Sequence, residues 1–390
     1  MKLNFLYPFF VGLHALFVIP DKTENIRLPG YVRTEIDTRY YFGLITLLFG
    51  NPPQRITALL DAQESAIVVL DANCVENSIK IQKTCKTYCR DLKFCRIHCH
   101  PVCCVSMQEI RNFCYHRTLI AYNQTATTTF HQSVNNSGDL WTSQYEGYRL
   151  QFGEYVQDTV ALAGLGYRGS IVLMENATFV IFGFSPKAHN NIQSFVLRAY
   201  HSGLIQRPLL SLAYRTYVLN GAMTLGAEEP KYCQQNWTYY KVVDNEWILE
   251  VDGFEFDGKK HERKVKVHTQ PFSEQIQLPS YLVQPMLDKG TLIYYQNEYI
   301  IDCASEIELT FNIHGKQYTL GPQQLVDRDP WEHYGMCVAR FEVLKSKKYK
   351  ETVDFVLGMP WFLRFCHTFD FEHLQIGLSL VKNNVADDDH

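Results

Sequence analysis

Beyond its first twenty residues the chain has no apolar run long enough to cross a membrane as a helix. It also lacks an excess of charge of one sign. Lys and Arg number 37 against 41 Asp and Glu, a formal balance of −4. That balance excludes a basic nucleic-acid binder and an acidic disordered chain as descriptions of the whole protein. No tandem repeat of short period is present, although the two halves are weakly similar to each other. The two-residue spacing between cysteines that marks most structural zinc sites is missing as well.

What is present points to strands and to an oxidising compartment. Apolar residues make up 46% of the 390, enough for sizeable cores, and the length suggests two halves of ordinary size. Aromatics reach 14%, with 24 Tyr and 24 Phe, a composition that favours strands. Of the 12 cysteines, eight fall between Cys74 and Cys114, a clustering expected of disulfides. Met1-Lys2 followed by the apolar stretch Leu3 to Ile19 reads as a secretory signal peptide over residues 1–20. Sequons at Asn123, Asn135, Asn176 and Asn236 fit secretion, and lysosomal or other secretory-pathway residence is the alternative.

Strands are predicted over Tyr40 to Phe49, ended by the turn cluster Gly50-Asn51-Pro52-Pro53, and over Arg55 to Leu60 and Ala66 to Leu70. Further strands are expected at 148–152, 159–162, 178–184, 209–217, 222–225, 239–243, 247–251, 353–357, 368–371 and 376–380. A hairpin is expected across His314-Gly315. Helices are predicted over 187–205 and 280–289. Gly164-Leu165-Gly166-Tyr167-Arg168-Gly169 spells the dinucleotide glycine pattern. Strands rather than a helix follow it, so a turn and not a phosphate site is expected.

Residues 74–114 hold seven Lys/Arg against three Asp/Glu and show little strand alternation, as an inserted loop stapled by its own bridges would. Metal ligation by Cys85, Cys89, Cys95, Cys99, His98, His100 and Cys103-Cys104 is the weaker alternative. Four internal disulfides would leave 105 connectivities open. Trp141 and Trp331 are read as packing residues. No metal and no cofactor is expected.

In chain order, several motifs carry a resemblance. They are Tyr41-Phe42-Gly43, Phe49-Gly50-Asn51-Pro52-Pro53-Gln54, Leu59-Leu60-Asp61-Ala62-Gln63-Glu64-Ser65, Ile181-Phe182-Gly183, Met223-Thr224-Leu225-Gly226, Trp247 to Gly253, Val356-Leu357-Gly358, Met359 to Arg364, and Phe369-Asp370-Phe371 with Ile376-Gly377. Over about residues 38–383 the chain resembles the pepsin-type aspartic proteases. The resemblance implies an all-β, bilobal fold with a central cleft. Its N-terminal lobe would be 38–212, carrying the Cys-rich insert 74–114, and its C-terminal lobe 213–383. It also implies a second-lobe disulfide between Cys303 and Cys337, and a pair Cys233–Cys366 similar to that of the nematode-type branch.

The family mechanism needs two carboxylates in contact, sharing one proton and one water, so that one serves as base and the other as acid. Asp61 stands at the first of those positions. Ala62 lacks the hydroxyl that usually follows, and Gln63 puts a side chain where glycine is usual. Aligned by motif, His268 in Val267-His268-Thr269-Gln270 stands at the second position. A gap-free count back from Pro279 puts Gln270 there instead. Neither is a carboxylate. A His beside ionised Asp61 would form an ion pair with no shared proton.

Phe152-Gly153 takes the place of the family's tyrosine–glycine on the hairpin that closes over substrate. The stretch between leader and Tyr40 is shorter than the family's pro-segment. The expected function is that of a secreted pepsin-like protein without peptidase activity, which binds a peptide or protein in the cleft or at the Cys-rich insert. It would bind no nucleic acid and have no membrane span once the leader is removed. An active atypical endopeptidase, with Glu64 as the nearest other carboxylate, is one alternative. A disulfide-stapled structural or interaction protein with a filled cleft is the other.

Overall fold

The computed structural model describes the chain from Ile26 to Lys382 apart from residue 29, 38–42, most of 86–120, 133–140, 144–150, 175–179, 189–191, 216–219, 329–334 and 346–351. The leader, Tyr40 to Phe42, His98, Cys99, His100, Cys114, Asn135, Asn176 and Trp331 lie outside the described residues. The fold is mostly β and bilobal, in the pepsin-like arrangement.

One long sheet stitches the chain together. From one edge it runs Thr238–Lys241, Gln375–Leu380, Phe365–Asp370, Leu209–Tyr214, Asn220–Leu225 and Tyr31–Asp37, so six neighbours come from the beginning, middle and end of the chain. Tyr31–Asp37, absent from the sequence reading, pairs antiparallel with Asn220–Leu225 from Asp37↔Asn220 to Val32↔Leu225. Its Arg33 is buried and meets the buried Glu229 at 3.1 Å, and the guanidinium carbon lies 4.6 Å from the centre of the Tyr232 ring. The same sheet continues through Leu44–Phe49 and Gln54–Asp61 into the rest of the first lobe. The second lobe adds three smaller sheets, of five, four and four strands.

Buried apolar side chains from both lobes form one large cluster. Trp361 lies within it, 4.5 Å from Phe365 and 5.8 Å from Phe311 between ring centres. Its indole Nε1 donates to His367 Nε2 at 2.8 Å, so the imidazole carries its proton on Nδ1 and donates to the Phe365 carbonyl at 3.0 Å. Complete burial lowers His367 to about 3 and keeps it neutral.

Three elements differ from the sequence reading. The insert opens with an α-helix, Cys74–Cys85, rather than irregular loop. Among the described residues of 187–205, the helix spans Phe195–His201. The Gly164 to Gly169 run is not itself the turn. Ala163 and Gly164 turn the chain with positive φ, and Gly166 and Gly169 already lie in the strand Leu165–Met174. That strand pairs back on Gln151–Leu162, and the next element among the described residues is the strand Ile181–Gly183, not a helix that could bind phosphate.

Candidate active site

The two lobes build their central loops in the same way. In the first, Gln54–Asp61 ends at Asp61 and lies parallel to Ile181–Gly183, with Gly183 opposite Asp61. The following loop folds back so tightly that a Cβ on Gly183 would come within 2.3 Å of the Ala66 carbonyl oxygen and 2.5 Å of that of Glu64. In the second, Val265–Thr269 lies parallel to Phe355–Leu357, with Thr269 opposite Leu357. Gln270 is therefore next to Gly358. A Cβ on Gly358 would meet the carbonyl oxygens of Gln275 at 2.2 Å and Ser273 at 2.4 Å. Ala66 is five residues and Glu64 three residues past Asp61, as Gln275 and Ser273 are past Gln270. The matching offsets make Gln270 the structural counterpart of Asp61.

Side-chain contacts agree with that backbone equivalence. Gln270 Nε2 donates to Asp61 Oδ1 at 2.9 Å, and Gln270 Oε1 accepts from the Ala62 N–H at 3.1 Å. Using both ends of the amide fixes its orientation. His268 does not face Asp61 from the position that motif alignment gives it. It is buried on the strand two residues upstream, opposite Ile248 and Val356. The physical reason is the length of the loop, whose crossing beneath Gly358 puts Ser273 and Gln275 three and five residues past the position that faces Asp61, which is therefore Gln270.

Asp61 is fully buried. Its Oδ1 accepts from the Gln63 N–H at 2.8 Å as well as from Gln270, while Oδ2 finds no hydrogen-bond partner among the described residues. Burial pushes the carboxyl up to about 6, and the nearby charge of Glu64 adds to this. The bonds from Gln63 and Gln270 oppose the rise without cancelling it. Glu64 Oε1 accepts from the Ser65 and Ala66 N–H groups, both at 2.8 Å, so this carboxylate caps its own loop.

The hydroxyl–backbone bonds that commonly join the paired loops of pepsin-type proteases have no donors at these positions. Ala62 has no hydroxyl, and its counterpart Pro271 has neither hydroxyl nor N–H. Gln270 supplies the cross-link instead. Below it, Trp247 Nε1 donates to the Phe184 carbonyl at 2.8 Å, and the Trp247 ring meets Phe369 and Phe371 edge-on at 5.0 Å. The floor that carries Asp61 and Gln270 is packed on buried aromatic rings.

The hairpin beside the cleft pairs Trp141 with Gly153, Thr142 with Phe152 and Ser143 with Gln151. Phe152 and Gly153 lie in the strand Gln151–Leu162, and residues 144–150 before it are outside the described residues. Disulfides join Cys233 to Cys366 and Cys303 to Cys337. Within the insert they join Cys85 to Cys103 and Cys95 to Cys104. Cys74 and Cys89 are disulfide-bonded too. Among the described residues no group of three or more His, Cys, Asp or Glu could hold a metal ion, and no helix is long and apolar enough to cross a membrane.

Comparison with known proteins follows from this geometry. Residues 40–381 match the model of the family described as eukaryotic aspartyl protease. The chain belongs to that family. Aspartic protease 2 of Necator americanus is 20% identical over 380 residues, covering 91% of this chain and 85% of the relative. Renin of Canis lupus familiaris is 21% identical, covering 92% and 83%. Aspartic protease 10 of Caenorhabditis elegans is 18% identical, covering 92% and 88%. Within the eukaryotic aspartyl protease fold, this chain sets one carboxylate and one carboxamide at the cleft floor.

Proposed function

We propose that this member of the aspartyl protease family does not hydrolyse peptides and acts by binding peptide or protein segments through its cleft. The observation that carries the reading is the amide of Gln270, bonded to Asp61 Oδ1 where the mechanism requires a second carboxylate. An amide neither gains nor loses a proton in the pH range of the reaction. It cannot alternate between acid and base, and it cannot share a proton with Asp61. One buried acid can donate or accept a hydrogen bond to a ligand, but the paired transfer that activates water and polarises the scissile carbonyl is lost. Glu64 does not repair the pair, because its Oε1 is bonded to the Ser65 and Ala66 amides.

The leader sequence, the sequons and the disulfides support placement in the secretory pathway, with secretion as the reading we favour. The family fold with its cleft supports a peptide or protein ligand there, and the Cys-rich insert is the other surface this reading proposes.

Hydrolysis of a mixed peptide pool from pH 3 to 7 tests the reading, with Asp61→Asn and a pepstatin-type inhibitor as controls. The expected result is turnover no greater than that of Asp61→Asn, from protein shown to be folded. Turnover abolished both by Asp61→Asn and by the inhibitor would overturn it.

A further inference from the structure

Two of the four sequons, at Asn123 and Asn236, lie among the described residues, and the fold treats them differently. Asn123 is half-buried. Its Oδ1 accepts from both the N–H and the hydroxyl of Thr125, at 3.0 and 2.7 Å. Asn236 is exposed, in the irregular stretch just before the strand Thr238–Lys241. Its Oδ1 meets the Ser379 hydroxyl at 2.9 Å, whose proton is shared with the Gln234 carbonyl at 2.7 Å. Nδ2 is therefore the outward end of the carboxamide, and among the described residues it makes no hydrogen bond.

The backbone that carries Asn236 is held on both sides. The Gln234 N–H donates to the Leu380 carbonyl at 2.9 Å, and Thr238 pairs with Leu378. Trp237 packs half-buried against the cluster that contains Tyr232, Cys233 and Cys366. Thr238 accepts from Lys316 Nζ at 2.9 Å. A group attached to Nδ2 would displace none of these contacts, so the folded chain can carry one at no cost to its packing.

The same supports are synthesised late. Cys233 is bonded to Cys366 across a separation of 133 residues, and the strand that pairs with Thr238–Lys241 is Gln375–Leu380. When Asn236-Trp237-Thr238 emerges during synthesis, none of these partners has been made. The sequon is then unpaired chain, open to modification before the second lobe closes around it.

We propose that Asn236 carries an N-linked glycan. In the transfer, Nδ2 bonds to C1 of the first sugar of a lipid-linked oligosaccharide. The bond from C1 to the diphosphate oxygen breaks, the lipid diphosphate leaves, and Nδ2 releases one proton. The proposal rests on the secretory placement proposed above and adds a site to it. The glycan stands beside Thr238–Lys241, the outer strand of the long sheet, and sets a bulky polar group at an edge that could otherwise pair with another chain.

The test expresses the full chain in cultured animal cells and follows the tryptic peptide Tyr232–Lys241 by mass spectrometry after reduction. That peptide contains no other sequon. It should be recovered mostly as a glycopeptide, and peptide N-glycosidase in heavy-oxygen water should release it with the label at position 236. Thr238→Ser, which keeps the sequon, should keep the glycan, whereas Thr238→Val and Asn236→Gln should lose it. An unmodified peptide from folded protein in the medium would overturn the proposal and leave the secretory placement standing. Cytosolic protein that retains residues 1–20 and has an unmodified peptide would overturn both. A glycan that persists in Thr238→Val would overturn the assignment to this sequon.

Discussion

Replacing Asp61 with Asn should change how stability depends on pH. In the fold the Asp61 carboxyl titrates near 6 instead of 3.8, chiefly because the site is buried. A carboxyl raised in this way stays protonated in the folded state after it has ionised in the unfolded chain. It costs nothing below pH 3.8, and the cost grows as pH rises until the folded carboxyl also ionises, near 6. A change from 3.8 to about 6 corresponds to about 3 kcal/mol. Asn keeps an oxygen for the Gln63 and Gln270 donors and never ionises. Any fixed cost of placing its NH₂ where Oδ2 now lacks a partner is the same at every pH. Urea unfolding of both proteins, read by tryptophan fluorescence, gives the difference directly. Between pH 3.5 and 7 the variant should gain about 3 kcal/mol relative to wild type. A difference that stays constant, or that moves the other way, would show that Asp61 is solvated or paired in a way the geometry does not contain.

Two further outcomes follow from the core. His367, lowered to about 3 by burial, takes up a proton in the unfolded chain first, so the wild type should lose stability as pH falls from about 6.5 towards 3, by up to about 5 kcal/mol. His367→Gln should flatten that acid limb in the same unfolding assay, and an unchanged limb would refute the assignment. The Cys233–Cys366 bridge closes a separation of 133 residues with both sulfurs buried, so the double Ser variant should lose about 2–5 kcal/mol by urea midpoint, and a loss below about 1 kcal/mol would contradict it.

The fold was legible because its constraints are local and repeated. Gly183 ends and Gly358 follows a short buried strand, and a Cβ on either would come within 2.5 Å of two carbonyl oxygens. A motif imposed by such a clash survives great divergence elsewhere. Asp61 was legible for the same reason, since its strand and its loop are both built to one length. The partner of Asp61 was not settled by sequence, because Val267-His268-Thr269-Gln270 offers a hydrophobic–polar–Thr pattern that imitates the motif two residues early. The deciding fact is a pairing, Thr269 with Leu357, which puts Gln270 beside Gly358.

The replacements at the cleft floor depend on one another, which bears on what a reversion could restore. With Ala62 and Pro271 at the paired positions, neither loop has a hydroxyl to offer the other, and Gln270 is the group that joins them, by its NH₂ to Asp61 and its carbonyl oxygen to Ala62 N–H. An Asp at 270 would still have an oxygen for Ala62, but it would withdraw the donor from Asp61 and bring a second carboxyl into a site already costly for one charge. The pair would regain its shared proton and lose the bond that now stabilises ionised Asp61. Nothing would replace the hydroxyl contacts that hold paired loops in register. Retention of Asp61 therefore does not mean retention of half a mechanism. Its Oδ1 works as an acceptor that fastens the second lobe to the first, while its Oδ2 is buried without a hydrogen-bond partner among the described residues.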